Sequence, residues 1–213
     1  VTEAGFAADL GAEKFVNIKC RQAGLNPNAC VLVATVRALK YHGGVEKDDL
    51  NTENIEALKT GCENLKTHAE NVQKYGLPVV VAINRFPSDT PSELDSVRQY
   101  CEDIGVECSL SEVVAKGSEG GLDLAKKIKR IVDENPGTPN YYYADTDSIK
   151  DKIHTVAKEI YRADGVDYTD EADASIMRLQ ENGLSNWPIC MAKTQASLSD
   201  DPKKRNAPTG WRL

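Results

Sequence analysis

The sequence predicts an α/β fold, with a mostly parallel sheet that is covered by helices. Two continuous apolar runs, residues 29–36 and 78–84, have the length and β-branched content of strands buried on both faces. Between and after these runs, apolar residues recur every three or four positions, which is the spacing of amphipathic helices. Strands that alternate with helices indicate parallel strands joined by helical crossovers.

The first predicted strand is followed by a loop and a long helix. Residues 35–44 are polar and end in Gly43 and Gly44, so we expect a loop there. From Thr52 onward a single apolar face indicates a helix, and Gly76 is placed to end it in a left-handed backbone conformation. The apolar positions of this helix are Ile55, Leu58, Cys62, Leu65, Ala69 and Val72.

The second predicted strand leads through residues 84–90 into a clear helix start. Thr90 offers an N-cap hydroxyl, Pro91 occupies the first helical position, and Glu93 stands at the third. This is the pattern of a capping box, in which two side chains satisfy free backbone amides. Gly105 ends this helix, and residues 106–110 predict a short third strand.

Three more helices and a final strand are expected in the second half. One helix follows Gly121 and ends at residues 135–137, a second spans residues 149–160, and a third runs from about 169 to 182. Residues 188–193 predict a strand, and Glu3 is interpreted as the end of an earlier one. The chain has neither an internal repeat nor a low-complexity linker that would force a domain boundary.

Composition and charge exclude several classes of protein. With 213 residues, 40% hydrophobic and 28% charged, the chain is neither disordered nor a small disulfide scaffold. A net charge of −7 argues against binding nucleic acid through bulk charge, and no apolar run is long enough to span a membrane. Six scattered cysteines without a C-x-x-C pair indicate reduced, packed thiols in a cytoplasmic protein.

The loops that follow strands are the candidate sites, because ligands of parallel sheets bind outside the carboxyl ends of the strands. After Glu3, Phe6 is either a packed turn residue or a platform for a flat ligand, and the residues alone favour packing. Asp9 and Glu13 lie four positions apart on an expected helix. They are interpreted as a solvated acidic helix start rather than ligands of a cation, so no metal site is assigned.

Two further loops carry candidate chemistry. Phe86 is stiffened by Pro87, and the Asn84 amide can read the edge of a heterocycle. Equally, Asn84 can cap the sheet and Phe86 can cover the core. Lys116 and its neighbouring glycines suggest a phosphate cradle, but both G-x-x-x-x-G-K-[ST] and G-x-G-x-x-G are absent. No catalytic residue is assigned, and the residues alone predict a cleft that fits a flat heterocycle.

Five segments of the chain, in order, resemble the formate–tetrahydrofolate ligase family, also called 10-formyltetrahydrofolate synthetase. They are TEAGFAADLGAEKF, VLVATVRALKYHGG, PVVVAINRFPSDT, EGGLDLAKKI and PICMAKTQASLS. The resemblance implies part of a P-loop NTPase-like fold with an added smaller α/β domain. It assigns residues 1–65 to the nucleotide-binding core, and residues 66–213 to a folate-side region and the return to that core.

The resemblance also implies a reaction and its participants. Family members are ATP-dependent carbon–nitrogen ligases of one-carbon metabolism. MgATP phosphorylates formate to formyl phosphate, and N10 of tetrahydrofolate then attacks the formyl carbon. A monovalent cation supports activity, and bacterial members are homotetramers. The implied partners are therefore formate, tetrahydrofolate, ATP and further copies of the chain, with neither nucleic acid nor membrane.

The resemblance implies positions for a folate slot. Phe6 and Phe86 match the aromatic residues that lie against the pteridine. Asn84 and Glu3 are expected to contact the cofactor. Two further positions match the wall of the slot, Pro87 and Leu110.

Two departures from the family pattern matter. The family reads S-E-V-W-A-K-G where this chain has Val114, and loss of an aromatic face should weaken stacking by roughly 1–3 kcal/mol. The family's phosphate loop is expected before residue 1, so the chain is interpreted as an internal to C-terminal fragment that is inactive alone. The alternative is a non-catalytic folate- or nucleotide-binding or oligomerisation module that has lost the ligase chemistry. An unrelated ligase with a different acceptor would have to explain all five matching segments.

Overall fold

The computed structural model describes residues 1–192 and 198–213. The chain divides into two compact units. The first unit comprises Val1–Asn26, Asn140–Lys204 and Pro208–Leu213, and the second comprises Pro27–Pro139 and Arg205–Ala207. The functional assignment of residues 1–65 and 66–213 stays a prediction, and position 65 lies inside a helix of the second unit.

The second unit contains a three-stranded parallel sheet in the order β1-β2-β3. All three predicted strands are present, as β1 (Cys30–Ala34), β2 (Val79–Asn84) and β3 (Glu107–Ser111). The central strand β2 is buried on both faces, as expected. That expectation is wrong for the edge strand β1, where Val31 and Val33 are exposed. Alternate side chains of a strand point to opposite faces, and only one face of β1 is covered.

The helices of the second unit confirm most of the sequence pattern. Gly76 has a φ of 77°, the left-handed conformation expected where the long helix ends. The prediction of a loop at residues 35–44 is wrong. Thr35 Oγ1 accepts a hydrogen bond from the Ala38 amide and caps the start of a helix there. The helices are α3 (Val36–His42), α4 (Ile55–Lys74), α5 (Pro91–Asp103), α6 (Val113–Lys116) and α7 (Leu122–Glu134), with 3₁₀ turns at Lys47–Asp49 and Gly117–Gly121.

The first unit is helical in its regular parts. The two helices predicted in its later part are confirmed, with Ser148 and Thr169 as their N-caps. Near the amino terminus, one continuous helical stretch contains a π-helical segment at Phe15–Cys20. The helices of this unit are α1 (Ala8–Lys14), α2 (Arg21–Ala23), α8 (Ile149–Glu159) and α9 (Asp170–Glu181).

Two strand predictions in the first unit are wrong. Residues 1–7 and 188–192 form no strand, while Lys193 lies outside the described residues. The apolar composition of residues 188–192 resembles a strand, but their backbone bonds to side chains. The Ile189 amide donates to the Tyr143 hydroxyl at 3.2 Å. A strand requires a neighbouring strand for its ladder, and composition alone does not supply one.

The α/β prediction is thus confirmed as a parallel sheet flanked by helices. All six cysteines carry free thiols, and Cys20, Cys62 and Cys101 are buried. Across residues 1–192 and 198–213, no helix combines the length and apolar content needed to cross a membrane.

Candidate functional site

The carboxyl edge of the sheet brings together most of the residues predicted to form a site. In the β2–β3 register, Ile83 pairs with Leu110 and Asn84 pairs with Ser111, so both strands end at the same level. Phe86 follows the end of β2, and Val114 lies in the short helix that follows β3. Two loops that are far apart in the sequence therefore share one edge of the second unit.

Apolar groups at this edge are accessible to a ligand. Val114 is 88% exposed and Phe86 is 38% exposed. Pro87 is also exposed, whereas Asn84 and Leu110 are half-buried. Phe86 is thus partly buried and partly exposed, and both interpretations of this residue stay predictions. These exposed groups offer an apolar surface on which a flat ring can stack.

Asp89 holds the loop that presents Phe86. Its Oδ2 accepts a hydrogen bond from the Phe86 amide at 2.8 Å, and its own amide donates to the Phe86 carbonyl at 3.0 Å. Burial raises the pKa of Asp89, and the hydrogen bond from Phe86 offsets part of that rise. Sequence reasoning missed this residue, although an aspartate three positions after Phe86 is a recognisable turn signal.

A buried ion pair lies beneath the same edge. Lys40 Nζ is 2.7 Å from Glu93 Oε1 and donates to the Thr52 carbonyl at 2.9 Å. The amides of Asn54 and Thr90 donate to the two Glu93 oxygens at 3.2 and 3.1 Å. Burial alone would raise the pKa of Glu93, but the hydrogen bonds from Lys40, Thr90 and Asn54 outweigh it and lower the pKa. The predicted capping box is confirmed, but its lysine partner was not foreseen.

The cations of the two loops are paired with one carboxylate. Glu112 accepts from Arg85 at 2.6 Å and from Lys116 at 2.5 Å, and these hydrogen bonds lower its pKa. The Glu112 amide donates to the Gly120 carbonyl at 3.0 Å, so the glycine turn closes on the protein itself. Lys116 therefore stabilises its own helix turn, and the suggestion of a phosphate cradle stays a prediction.

Phe6 lies in the first unit, at the rim of an apolar pocket. Its ring is 73% exposed, and Lys14 Nζ lies 4.9 Å from the ring centroid. The interpretation of Phe6 as a packed turn residue is therefore wrong. Its φ of 66° is uncommon for a bulky residue, and such strain is typical of functional positions. The pocket has a volume of about 300 Å³ and is lined by Phe6, Ala7, Leu10, Lys14, Cys190, Met191 and Ala192.

The comparison with known families decides what these surfaces belong to. The sequence matches the family model described as "Formate–tetrahydrofolate ligase" over residues 1–213. The chain belongs to the formate–tetrahydrofolate ligase family. The resemblance stated from five segments is thereby confirmed along the whole chain. The family's activity is the ATP-dependent ligation of formate to tetrahydrofolate, a reaction of one-carbon metabolism.

The described residues of this formate–tetrahydrofolate ligase chain do not fit the phosphates of MgATP. The chain has no Gly-rich phosphate-binding motif. Lys40, Arg85 and Lys116 are each paired with a carboxylate. Arg37, in the first turn of α3, donates to the Asn51 side chain and lies 5.9 Å from the centroid of the Phe86 ring. No step involving MgATP is therefore derived from these residues.

The acidic residues of α1 are buried in this family member. Asp9 and Glu13 both have no measurable exposure, so the interpretation as a solvated helix start is wrong. Glu13 Oε1 accepts from Asn17 at 3.1 Å, and the Tyr161 hydroxyl donates to the Asp9 carbonyl at 3.2 Å. Burial raises the pKa of Glu13 to about 7. Within the described residues, no group of three or more His, Cys, Asp or Glu side chains is arranged to hold a metal ion.

Glu3, the remaining predicted position, is exposed in the segment before Phe6. The structure thus places Asn84, Phe86, Pro87, Leu110 and Val114 in the second unit, and Glu3 and Phe6 in the first.

Proposed function

We propose that this chain supplies the folate-side part of an ATP-dependent formate–tetrahydrofolate ligase. The observation that carries the proposal is the match to the family over residues 1–213. MgATP phosphorylates formate to formyl phosphate, and N10 of tetrahydrofolate attacks the formyl carbon as phosphate leaves. The contribution of this chain's own residues is to bind and orient the pteridine.

The carboxyl edge of the sheet provides one set of pteridine contacts. Phe86 and Pro87 offer exposed apolar faces, and the short hydrogen-bonded turn to Asp89 holds them in place. Leu110 and Val114 line the same edge, while the Asn84 amide is placed to bond a ring nitrogen or carbonyl. An apolar surface with few polar groups is how proteins hold flat heterocycles.

The Phe6 pocket provides a second set of contacts. Its volume of about 300 Å³ matches the lower end of ligand sites, and its lining is mainly apolar. The exposed Phe6 ring offers a stacking face at the rim. Glu3 precedes Phe6 in the sequence and is proposed to contact the cofactor. Each of the two surfaces is assigned to tetrahydrofolate on its own residues and is tested by its own variants.

The remaining features of the proposal come from the family. They are a P-loop NTPase-like fold for the whole enzyme, a monovalent cation and Mg²⁺ in the reaction, a homo-oligomeric enzyme, and a cytoplasmic location. The chain alone is expected to bind tetrahydrofolate and to form no 10-formyltetrahydrofolate, because its sequence carries no phosphate-binding motif.

Titration of the 213-residue chain with tetrahydrofolate tests the carboxyl edge. We expect Phe86→Ala to weaken binding by about 1–3 kcal/mol, and Val114→Trp to strengthen it by a similar amount, because each changes one stacking face. Val114 is exposed, so a larger ring can be accommodated. Met177→Ala, an exposed apolar residue of α9, is the matched control and should leave the affinity unchanged. Equal affinities for the wild type and both edge variants would contradict this assignment.

Phe6→Ala tests the pocket in the same titration. Loss of affinity for Phe6→Ala with an intact Phe86 supports the pocket as a folate contact. An unchanged affinity would remove Phe6 from the site and leave the carboxyl edge as the proposed surface.

The non-catalytic module remains a second candidate, and Val114 is the observation that favours it. A chimera distinguishes the two. The 213 residues of this chain replace the matching segment of an active family member, and 10-formyltetrahydrofolate formation is measured. The ligase proposal predicts product, with more formed by the Val114→Trp chimera. The module predicts a folded chimera that binds ATP and forms no product with either residue at position 114.

A further inference from the structure

Lys14 is the one charged side chain among the described residues that line the Phe6 pocket. Its ammonium lies 4.9 Å from the centroid of the Phe6 ring. The rest of the described lining carries no charge and comprises two alanines, Leu10, Cys190 and Met191. An aromatic face and a positive charge therefore meet in a cavity of about 300 Å³ whose described lining contains no carboxylate.

Main-chain contacts hold Phe6 close to Lys14. A Cβ on Gly11 would lie 2.0 Å from the Gly5 carbonyl oxygen, so the bare glycine lets the residues before α1 lie against this helix. The Gly11 amide donates to the Ala7 carbonyl at 2.7 Å, so the helix starts directly after Phe6. The ring and the ammonium are thus brought together by the backbone and not by a chance contact of two flexible side chains.

The Lys14 ammonium has no oxygen acceptor in the part of the chain that the structure describes. Its contact there is the Phe6 ring, and it forms neither a hydrogen bond nor an ion pair. Lys152, by contrast, lies 5.9 Å from the Tyr143 ring and also donates to three carbonyls. Because an ammonium carries three donors, Lys14 can still bind an oxyanion, which attracts it more strongly than a ring does.

Neither of two structural roles accounts for this charge. A cation at the end of a helix stabilises the free carbonyls there, but the helical stretch continues beyond Lys14 into the π-helical segment Phe15–Cys20. The neighbouring carboxyl of Glu13 is fully buried, accepts from Asn17 at 3.1 Å and does not line the pocket. The charge of Lys14 therefore faces a ligand of the pocket without a competing carboxylate in its described lining.

We propose that Lys14 is the oxyanion-binding residue of the Phe6 pocket. The pocket then takes a flat ring, stacked on Phe6, together with a carboxylate or phosphate oxygen that accepts hydrogen bonds from Lys14 Nζ. This inference rests on the proposed function, in which tetrahydrofolate supplies the ring. The oxyanion has two sources that share this chemistry, a carboxylate of the folate glutamate and a phosphate group bound beside the ring.

Titration of the chain with tetrahydrofolate measures what the charge contributes. Lys14→Met keeps the length of the side chain and removes its charge, and we expect the affinity to fall by about three- to tenfold. Lys14→Arg keeps the charge and should stay within about twofold of the wild type. Lys19→Met is the matched control, because Lys19 Nζ lies 5.1 Å from the Phe15 ring in a similar contact outside the pocket. It should leave the affinity unchanged.

The same titration with 6-methyltetrahydropterin distinguishes the two sources of the oxyanion, because this compound has the folate ring system without the glutamate. A glutamate source predicts equal pterin affinities for the wild type and Lys14→Met, with no effect of added inorganic phosphate, beside the loss for tetrahydrofolate. A phosphate source predicts that inorganic phosphate tightens pterin binding to the wild type by about threefold or more and has no effect on Lys14→Met.

Acetylation of lysines tests the same contact in the wild-type chain. Chymotrypsin cleavage after Phe6, Phe15 and Leu25 places Lys14 and Lys19 in different peptides, so Lys19 serves as the internal standard. We expect N-(4-aminobenzoyl)-L-glutamate, or 6-methyltetrahydropterin with phosphate, to slow acetylation of Lys14 about threefold or more relative to Lys19. 4-Aminobenzamide, a ring without an oxyanion, should not slow it.

Three results would overturn the proposal. One is equal tetrahydrofolate affinities for the wild type and Lys14→Met, with no effect of phosphate on pterin binding to the wild type. Another is an equal loss for Lys14→Met and Lys19→Met. The third is acetylation of Lys14 that responds to none of the oxyanion ligands. A wild-type chain that does not bind tetrahydrofolate contradicts the proposed function instead, and the acetylation rates then decide the role of Lys14.

Discussion

Lys40 Nζ lies 2.7 Å from Glu93 Oε1, and both side chains are buried. Lys40 belongs to the helix after β1, and Glu93 belongs to the first turn of the helix after β2. The pair therefore ties together two connections that leave the carboxyl edge of the sheet. Glu93 also accepts a hydrogen bond from the Thr90 amide, so the same carboxylate holds the end of the loop that carries Phe86.

Removing one member of this pair should be strongly destabilising. We expect Glu93→Gln to lower the free energy of unfolding by roughly 3–5 kcal/mol, because it leaves the Lys40 ammonium buried without its counter-charge. The double variant Lys40→Met with Glu93→Gln should recover part of the loss. Lys129→Ala, which removes an exposed ion pair with Asp133, should cost less than about 1 kcal/mol. Urea unfolding measures all three, and a loss for Glu93→Gln no larger than that for Lys129→Ala would contradict the prediction.

The same carboxylate gives the second unit a pH dependence. The pKa of Glu93 is lower in the folded chain than in the unfolded one, so its contribution is complete above the unfolded pKa of about 4.5 and is lost as the pH falls below that value. Glu93→Gln should remove this acid-side loss. Urea midpoints of both proteins between pH 3 and 6 measure the effect, and parallel pH curves would show that Glu93 does not titrate as described.

Glu13 should give the first unit a pH dependence of the opposite sign, with stability lost as the pH rises. Its pKa rises from 4.5 to about 7 on folding, so the unfolded chain ionises first and stability falls as the pH rises between these values. The full penalty above pH 7 is roughly 3 kcal/mol. Glu13→Gln should therefore match the wild type near pH 4 and be more stable than it near pH 8. Glu171→Gln, an exposed position on α9, serves as the control and should not alter the slope.

Gly11 should not tolerate even a methyl group. A Cβ there would lie 2.0 Å from the Gly5 carbonyl oxygen, whereas a Cβ on Gly5 has open space. Glycine-to-alanine changes inside helices usually stabilise by about 1 kcal/mol. We expect Gly11→Ala instead to destabilise by roughly 1–3 kcal/mol and to increase amide hydrogen exchange in residues 5–7, which include Phe6. Gly5→Ala should be nearly neutral in both measurements, and equal behaviour of the two variants would refute the close contact.

Lys152 should be essential to the first unit. Its buried ammonium donates to the carbonyls of Asp145, Ser185 and Trp187 at 2.6, 2.7 and 3.1 Å. Lys152→Met leaves three carbonyls without their donor, and we expect a loss of roughly 2–5 kcal/mol. Lys158→Met, an exposed lysine of the same helix, should cost little. Urea unfolding gives the stability, and a shift in Trp187 fluorescence should accompany only the Lys152 variant.

Local signals in the sequence were sufficient to predict most helices and strands. The capping box at Thr90 and Glu93 depends only on residues three positions apart, and it is present as predicted. The strand β2 and the end of α4 at Gly76 likewise follow from adjacent residues. The strand prediction for residues 188–192 was wrong because an apolar run becomes a strand only when another strand lies beside it. Helix α3 was missed because Thr35 was not recognised as its N-cap.

The sequence by itself determined the α/β class, the strands of the sheet, most helix boundaries and the family, since these depend on local periodicity and on contiguous segments. The tertiary structure decided the contacts between distant positions. It paired Lys40 with Glu93, exposed Phe6 and left one face of β1 uncovered. The physical reason is that burial, the pKa of a side chain and its partners depend on which distant segments pack together, and a linear pattern does not contain that information.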